Sequence, residues 1–297
     1  MGTMMLSPKE TVEAVIDIGV KKGRHTLHYS LSMGVLAGAM IALAAVGSNV
    51  GTFNLLGDTS LLGVGKALQG VMFAGGLAMV VTTGAELFTG NVLLTLACLE
   101  RRLSFRQLIT NWWKVWLANF IGALLVVIAV YGSGQFHFGQ SMLGAMTVKA
   151  ALGKINLSFV EAFILGVLCN WLVCLAVWIS FSAKSITGKV VGIFFPIWLF
   201  VVSGYEHCIA NMYYVPAGIM ASQDSSVMQV LVSMGISEQA VSSLTWKAFI
   251  VNNLLPVTLG NILGGAVLVA GIFWYAHCCS RVPLRLTAKS NNISIQR

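Results

Sequence analysis

Charge is what this chain has least of. Among 297 residues, Lys and Arg number 18 and Asp and Glu only 10, which is 9% of the sequence. Soluble domains carry charge on roughly a quarter of their residues, so an ordinary soluble domain is excluded. Disorder needs low hydrophobicity and high charge, and 57% hydrophobic residues exclude that too. No basic stripe interleaves with exposed aromatics, so the net charge of +8 implies no nucleic-acid partner. The six cysteines (98, 169, 174, 208, 278, 279) form no C-x-x-C pair and lie mostly in apolar runs. Neither a metal site nor a disulfide framework is expected, and they read as small packing residues. The first two dozen residues carry Glu10, Glu13 and Asp17 in place of a basic region followed by an apolar one, so no cleavable signal peptide is expected.

What is present instead is long uncharged chain. The runs 25–57, 67–85, 87–99, 115–148, 162–183, 190–205, 207–223 and 248–280 hold no Asp, Glu, Lys or Arg. Four of them exceed the roughly 20 residues that cross a bilayer as a helix. The pattern predicts an all-α membrane protein with six spans, near 28–49, 66–98, 112–133, 159–181, 189–220 and 248–277. The second and fifth are abnormal, each an apolar stretch of about 33 residues with one acidic residue near its middle, Glu86 and Glu206. Fourteen basic residues (Lys9, Lys21, Lys22, Arg24, Arg101, Arg102, Arg106, Lys114, Lys184, Lys189, Arg281, Arg285, Lys289, Arg297) fall on one side of these spans. Lys66, Lys149, Lys154 and Lys247 fall on the other. By the positive-inside rule both termini are cytoplasmic, in a multi-pass protein of the plasma (inner) membrane. The expected organisation is a cytoplasmic amphipathic N-terminal helix over 1–26, a six-span channel domain over 27–280 and a cytoplasmic tail over 281–297. Ser7-Pro8-Lys9-Glu10 has capping-box spacing with proline at the first helical position, and Val12, Val15, Ile16 and Val20 recur on one face. That helix reads either as a surface helix on the membrane or as a lid.

The chain also resembles itself. Gly84-Ala85-Glu86-Leu87-Phe88-Thr89-Gly90-Asn91 in the second span matches Gly204-Tyr205-Glu206-His207-Cys208-Ile209-Ala210-Asn211 in the fifth, with Gly, Glu and Asn at identical spacing. Leu117–Ala123 in the third span matches Leu259–Gly265 in the sixth, around Asn119 and Asn261, and Gly34-Val35-Leu36 more weakly matches Gly166-Val167-Leu168. A repeat of three spans must enter the membrane from opposite sides, which predicts an inverted 3+3 repeat with broken second and fifth helices, an arrangement that places permeation sites at the breaks. A break frees backbone groups that lipid cannot satisfy. Glu86 and Glu206 are expected to accept hydrogen bonds from the amides that open the new helices.

Of five histidines, His25, His28, His137 and His277 lie near membrane edges, where solvated or interfacial roles are the default, and only His207 falls inside a break. A group titrating near neutrality can hand a proton to a small anion or present an N–H to it. A naked anion is costly in an apolar constriction, whereas its conjugate acid is far less so. A path lined by Phe and Leu with one central donor therefore favours weak acids. Asn170 in the fourth span is expected to orient the imidazole, with interhelical bonding as the alternative. Thr89 offers a hydroxyl in the other break. Lys154 reads as an attractor of anions at the pore mouth or as a flanking anchor.

At these residues the sequence resembles the formate/nitrite transporter family. The likeness rests on Gly84–Asn91, on Cys169-Asn170-Trp171-Leu172-Val173-Cys174-Leu175-Ala176-Val177-Trp178 and on Ser203-Gly204-Tyr205-Glu206-His207-Cys208-Ile209-Ala210-Asn211-Met212, and covers about residues 10–280. It implies a homopentamer with an aquaporin-like pore in each protomer, passing formate, nitrite, hydrosulfide or related monovalent anions together with protons, and needing no cofactor. It implies a pore site at His207, Thr89, Asn170, Asn261 and Lys154, and constrictions at Phe73, Leu77, Leu87, Phe88 and Phe200. Gly84, Glu86, Asn91, Gly204, Glu206 and Asn211 shape the helix breaks. Glu86 and Gly90 look more like the nitrite and hydrosulfide branches, while formate ranks first as the family's commonest substrate.

Two other classes are weaker. An aquaporin-type pore for neutral solutes is disfavoured because neither break contains Asn-Pro-Ala. An intramembrane serine protease is disfavoured because Ser203 and His207 sit four residues apart on one interrupted element, so no enzyme is expected.

Overall fold

The computed structural model describes residues 5–279. The expected tail at 281–297 and residues 1–4 and 280 lie outside that range. The chain opens with α1 (Pro8–Gly23), held at its start by the capping box. Glu10 N–H donates to Ser7 Oγ at 3.3 Å, and Ser7 N–H donates to Glu10 Oε2 at 2.7 Å. Further capping boxes at Ser104/Gln107 and Ser158/Glu161 start two spanning helices. These polar caps stand where long apolar runs begin, so the chain enters lipid with its first amides satisfied.

Among the described residues, five helices are long and apolar enough to cross a membrane: α2 (Leu27–Gly57), α3 (Leu62–Thr83), α6 (Phe105–Gly132), α8 (Phe159–Ser182) and α13 (Trp246–His277). The expected second span, 66–98, is a long α3 followed by two short helices, α4 (Phe88–Asn91) and α5 (Leu94–Leu99). The expected fifth span, 189–220, is two shorter pieces, α9 (Ile186–Val202) and α10 (Cys208–Ala221). Both interruptions have one cause. Gly84 and Gly204 each adopt φ of +71°, a left-handed conformation that ends a helix and that residues with a Cβ avoid. In each, the next amide reaches back to close the last turn, Ala85 N–H to Val80 O at 3.0 Å and Tyr205 N–H to Phe200 O at 3.1 Å.

Helix α7 (Met142–Ile155) was not anticipated, because it lies in the connection between the third and fourth expected spans. Two short helices, α11 (Ser225–Ser233) and α12 (Glu238–Ser242), fill the connection before α13. Helix α13 contains two π-helical stretches, Phe249–Leu254 and Ala266–Gly271.

Packing runs in two parallel series. Helix α2 packs on α6 and α3, and α8 packs on α13 and α9, while α3 and α9 meet each other. The α2–α6 and α8–α13 crossings are close because glycines stand in them. A Cβ at Gly38 would strike the Asn119 carbonyl, and one at Gly260 the Phe163 carbonyl. Without a hydrophobic drive between helices in lipid, such small-residue contacts supply the dispersion energy of association. Helix α1 buries Thr11, Val12, Val15, Ile16 and Gly19 against α5 and α8. It is therefore a packed part of the protein, not a helix resting on lipid.

At the end of the molecule away from α1, Asp224 ties two connections together. Its Oδ1 accepts from Ser226 N at 2.8 Å and Ser226 Oγ at 2.6 Å, and its Oδ2 meets the His137 ring at 2.7 Å. The Ser226 side-chain bond first, and then the His137 ring, hold the Asp224 carboxyl well below the usual carboxylate range. A carboxylate depressed in the folded state stabilises it above the unfolded pKa, and the contribution is lost as pH falls. The melting temperature of the purified protein should therefore drop between about pH 5 and about pH 3 by more than that of Asp224→Asn, as read by thermal unfolding in detergent.

Candidate functional site

The two interruptions are built by the same residue types at five matching positions: Asn119 and Asn261, Glu86 and Glu206, Asn91 and Asn211, Lys22 and Lys154, and Asn111 and Asn253. In the first, Asn119 of α6 accepts from Phe88 N, the first amide of α4, at 2.9 Å, and its Nδ2 donates to Gly34 O at 2.8 Å and Glu86 O at 2.9 Å. In the second, Asn261 of α13 accepts from Cys208 N, the first amide of α10, at 2.9 Å, and donates to Gly166 O at 2.7 Å and Glu206 O at 3.0 Å. One buried side chain thus satisfies the first amide after the break and the glutamate carbonyl before it, and ties both to a carbonyl of the neighbouring α2 or α8. Leaving such a group unpaired costs about 1–3 kcal/mol.

The carboxylates do not cap those amides, contrary to expectation, because the asparagines of the crossing helices already occupy them. Each carboxylate turns to cationic and amide side chains. Glu86 Oε2 accepts from Asn91 Nδ2 at 2.6 Å, and Oε1 lies 3.3 Å from Lys22 Nζ and 3.5 Å from His25 Nδ1. Glu206 Oε2 accepts from Asn211 Nδ2 at 2.6 Å and Asn253 Nδ2 at 3.2 Å, and Oε1 accepts from Lys154 Nζ at 2.8 Å. Asn111 and Asn253 then join the lysine backbones, each donating at 3.1 Å, to Lys22 O and Lys154 O respectively. A carboxylate at this depth needs charge neutralisation as well as hydrogen bonds, and a lysine supplies both. Lys154 is accordingly bound to Glu206 and set over the Tyr214 ring, with 5.3 Å to its centroid. It is not a free charge at a pore mouth.

Lys22, Asn111 and Asn253 were missed in the sequence. The signal was present: Asn111 and Asn119 stand eight residues apart, as do Asn253 and Asn261, and Lys22 precedes Gly34 by the same interval as Lys154 precedes Gly166. His25 and Cys174, which also join this region, carried no such signal. His137 is exposed, as expected of a residue at a membrane edge, and pairs with Asp224, whereas His25 is largely covered and lies beside Glu86.

Thr89 and His207, one from each interruption, meet at the centre with Thr89 Oγ1 2.9 Å from His207 Nε2. His207 is the N-cap of α10, and its Nδ1 accepts from Ala210 N at 3.1 Å. A ring nitrogen that accepts carries no proton, so in the neutral ring the proton sits on Nε2 and is donated to Thr89. The Thr89 hydroxyl hydrogen is left for another acceptor. Asn170 does not reach the imidazole. Its Nδ2 donates to Asn261 O at 2.6 Å and Thr89 O at 3.2 Å, joined one turn later by Cys174 Sγ to Thr89 O at 3.4 Å. Asn170 thus holds the threonine side of the pair and ties it to α13.

Apolar side chains flank this centre. The Phe200 ring lies 6.0 Å from His207 and meets Phe73 edge-on at 5.7 Å. Leu77 and Leu87 wall a cavity of ≈ 80 Å³ that also touches Val15 and Lys22 of α1. Phe88, expected at a constriction, turns the other way. It packs edge-on against Trp112 at 6.3 Å and lines an outward groove with Trp113 and Leu254. Successive residues at a helix start point to different sides, so Leu87, Phe88 and Thr89 face the cavity, the flank and the histidine in turn.

Lys154→Met alone would leave Glu206 as an unpaired buried charge and destabilise the protein by about 3–5 kcal/mol. The double substitution Lys154→Met/Glu206→Gln should recover most of that loss, measured by thermal or denaturant unfolding in detergent.

Comparison with known proteins identifies the family. The formate/nitrite transporter family matches residues 9–275. The formate channel FocA of Haemophilus influenzae is 37% identical over 273 residues, covering 92% of this chain and 95% of that protein. A probable formate transporter of Methanothermobacter thermautotrophicus is 37% identical, covering 93% and 99%. Among solved structures, a pentameric formate channel with formate bound superposes with a TM-score of 0.77 at 38% identity, covering 84% of this chain and 97% of that one. An FNT family ion channel superposes with a TM-score of 0.74 at 29% identity, covering 90% and 98%. The chain belongs to the formate/nitrite transporter family.

Proposed function

We propose that the protein is a formate channel of the plasma membrane, assembled as a homopentamer with a separate pore in each protomer. The observation that carries the reading is the Thr89–His207 pair at 2.9 Å, buried between the Phe73–Phe200 and Leu77–Leu87 side chains. The relatives named as formate channels, and the solved pentamer with formate bound, support the substrate and the assembly.

A monovalent anion loses several kcal/mol or more on leaving water for an apolar slit, and its conjugate acid loses far less. The slits therefore favour a weak acid crossing as the neutral species. At the centre, the anionic form finds the Thr89 hydroxyl hydrogen, polarised by the His207 Nε2–H that Thr89 accepts, and the N-terminal end of α10, whose dipole favours negative charge. Proton transfer from the imidazole needs both ring nitrogens protonated, which breaks the Ala210 bond. The bonding around His207 favours an N–H that stabilises the anion, with the proton travelling alongside it.

The protomer reads as an inverted 3+3 repeat, α1–α6 against α7–α13, related by a pseudo-two-fold axis in the membrane plane. The paired bonding of Asn119 with Asn261, Glu86 with Glu206 and Lys22 with Lys154 supports this. Both termini are assigned to the cytoplasm from the distribution of basic residues, which makes α1 a wall of the cytoplasmic vestibule.

Uptake of labelled formate into proteoliposomes across about pH 5–8 tests the reading, since this span brackets the ordinary imidazole pKa. Wild type should take up formate with a pH dependence that His207→Ala alters and His207→Asn, which keeps an N–H donor, partly restores. Identical profiles for wild type and His207→Ala would remove His207 from the mechanism.

A further inference from the structure

A second polar site lies where α2 and α6 begin. A cavity of ≈ 190 Å³ there is lined by His25, Ser30, Arg106, Gln107, Thr110 and Lys114, with no acidic side chain in its wall. Arg106 and Lys114 stand about two turns apart on one side of α6. Among the described residues, neither has a hydrogen-bond or ion-pair partner, whereas Lys22, Arg102 and Lys154 are all paired. On the same two helices, Leu27 and Leu31 of α2 and Ile109 and Trp113 of α6 are exposed, the last two in the neighbouring groove. An uncompensated cationic socket at the ends of two adjacent spanning helices that also expose apolar side chains fits a ligand with an anionic head and a hydrocarbon tail.

Among the described residues, the matching positions of the other half carry no such charges. By the intervals that relate the two halves, Ala248 corresponds to Arg106, Pro256 to Lys114 and Leu157 to His25. Charge on one side of the membrane is expected from topology alone. A concave wall that gathers two unpaired cations with hydroxyls is not.

We propose that this pocket binds a phosphoryl oxyanion, the headgroup of an acidic phospholipid in the leaflet at the α1 end. Arg106 supplies a planar fork of donors suited to two phosphate oxygens, Lys114 a second positive charge, and Thr110 and Ser30 hydroxyls. Gln107 has its Oε1 engaged with Ser104, which leaves its Nε2 to donate. Asn111 forms part of the same wall and bonds Lys22 O and Asn91, so the headgroup sits one side chain from the network beneath the first helix break.

The test uses the full-length protein in mild detergent, offered phosphatidylglycerol, phosphatidylcholine or inorganic phosphate, with bound lipid counted by native mass spectrometry. Wild type should retain phosphatidylglycerol over phosphatidylcholine. Arg106→Gln/Lys114→Gln should weaken that retention about 25-fold, at about fivefold per basic residue, and Lys9→Gln, an exposed charge outside the pocket, should not. If the double variant does not fold, Thr110→Trp, which fills the cavity and keeps both charges, must give the same loss. Inorganic phosphate that displaces phosphatidylglycerol supports the phosphoryl site; phosphate binding without lipid retention overturns the lipid source. Equal retention of the two lipids by wild type, undiminished retention by the double variant, or an equal loss in Lys9→Gln would overturn the proposal.

Discussion

A helix that stops inside a membrane leaves amides and carbonyls that no lipid can satisfy, and the rest of this structure follows from how that is solved. Asn119 and Asn261 each serve one donor and two acceptors across the gap. To reach both sides of the break they must stand on helices that cross closely, and the glycines at 38 and 260 give that closeness. The carboxylates of Glu86 and Glu206 are then free to reach forward to Asn91 and Asn211, at the cost of buried charge that Lys22 and Lys154 offset. Removing one member of such a set exposes the others, so the network behaves as a unit.

The proposed function rests on a place where the two halves differ. Leu87 and His207 occupy matching places before α4 and α10, yet only the histidine caps its helix with a side chain. That cap fixes which ring nitrogen carries the proton and aims it at Thr89, a residue whose own counterpart is Ile209. A pair of equivalent breaks therefore holds a single polar centre, with aromatic and aliphatic side chains on either hand.

Much of this was legible in the sequence. Both Gly-x-Glu breaks, the central histidine and threonine, and the two asparagines stand in repeated motifs, because backbone interruption in lipid demands particular residue types. The capping box at Ser7 likewise marked the start of α1. What escaped were partners contributed by segments with no motif of their own. Helix α7 lies outside the expected spans, so the place of Lys154 beside Glu206 was hidden with it. Asn170 is apolar in its sequence neighbourhood, which says nothing of whether it turns to the imidazole or to the Thr89 carbonyl. Phe88 shared a motif with Leu87 and Thr89, but its direction depends on the first turn of α4 and on the Trp112 ring that receives it.

The proposed pore centre depends on His207 donating a hydrogen bond through Nε2. Nitrogen-15 solid-state NMR of histidine-labelled protein in lipid bilayers at neutral pH, with His207→Asn to assign the signal, measures this directly. The expected result is an unprotonated Nδ1 and a protonated Nε2 hydrogen-bonded to the Thr89 hydroxyl. A proton on Nδ1, alone or together with one on Nε2, would contradict it.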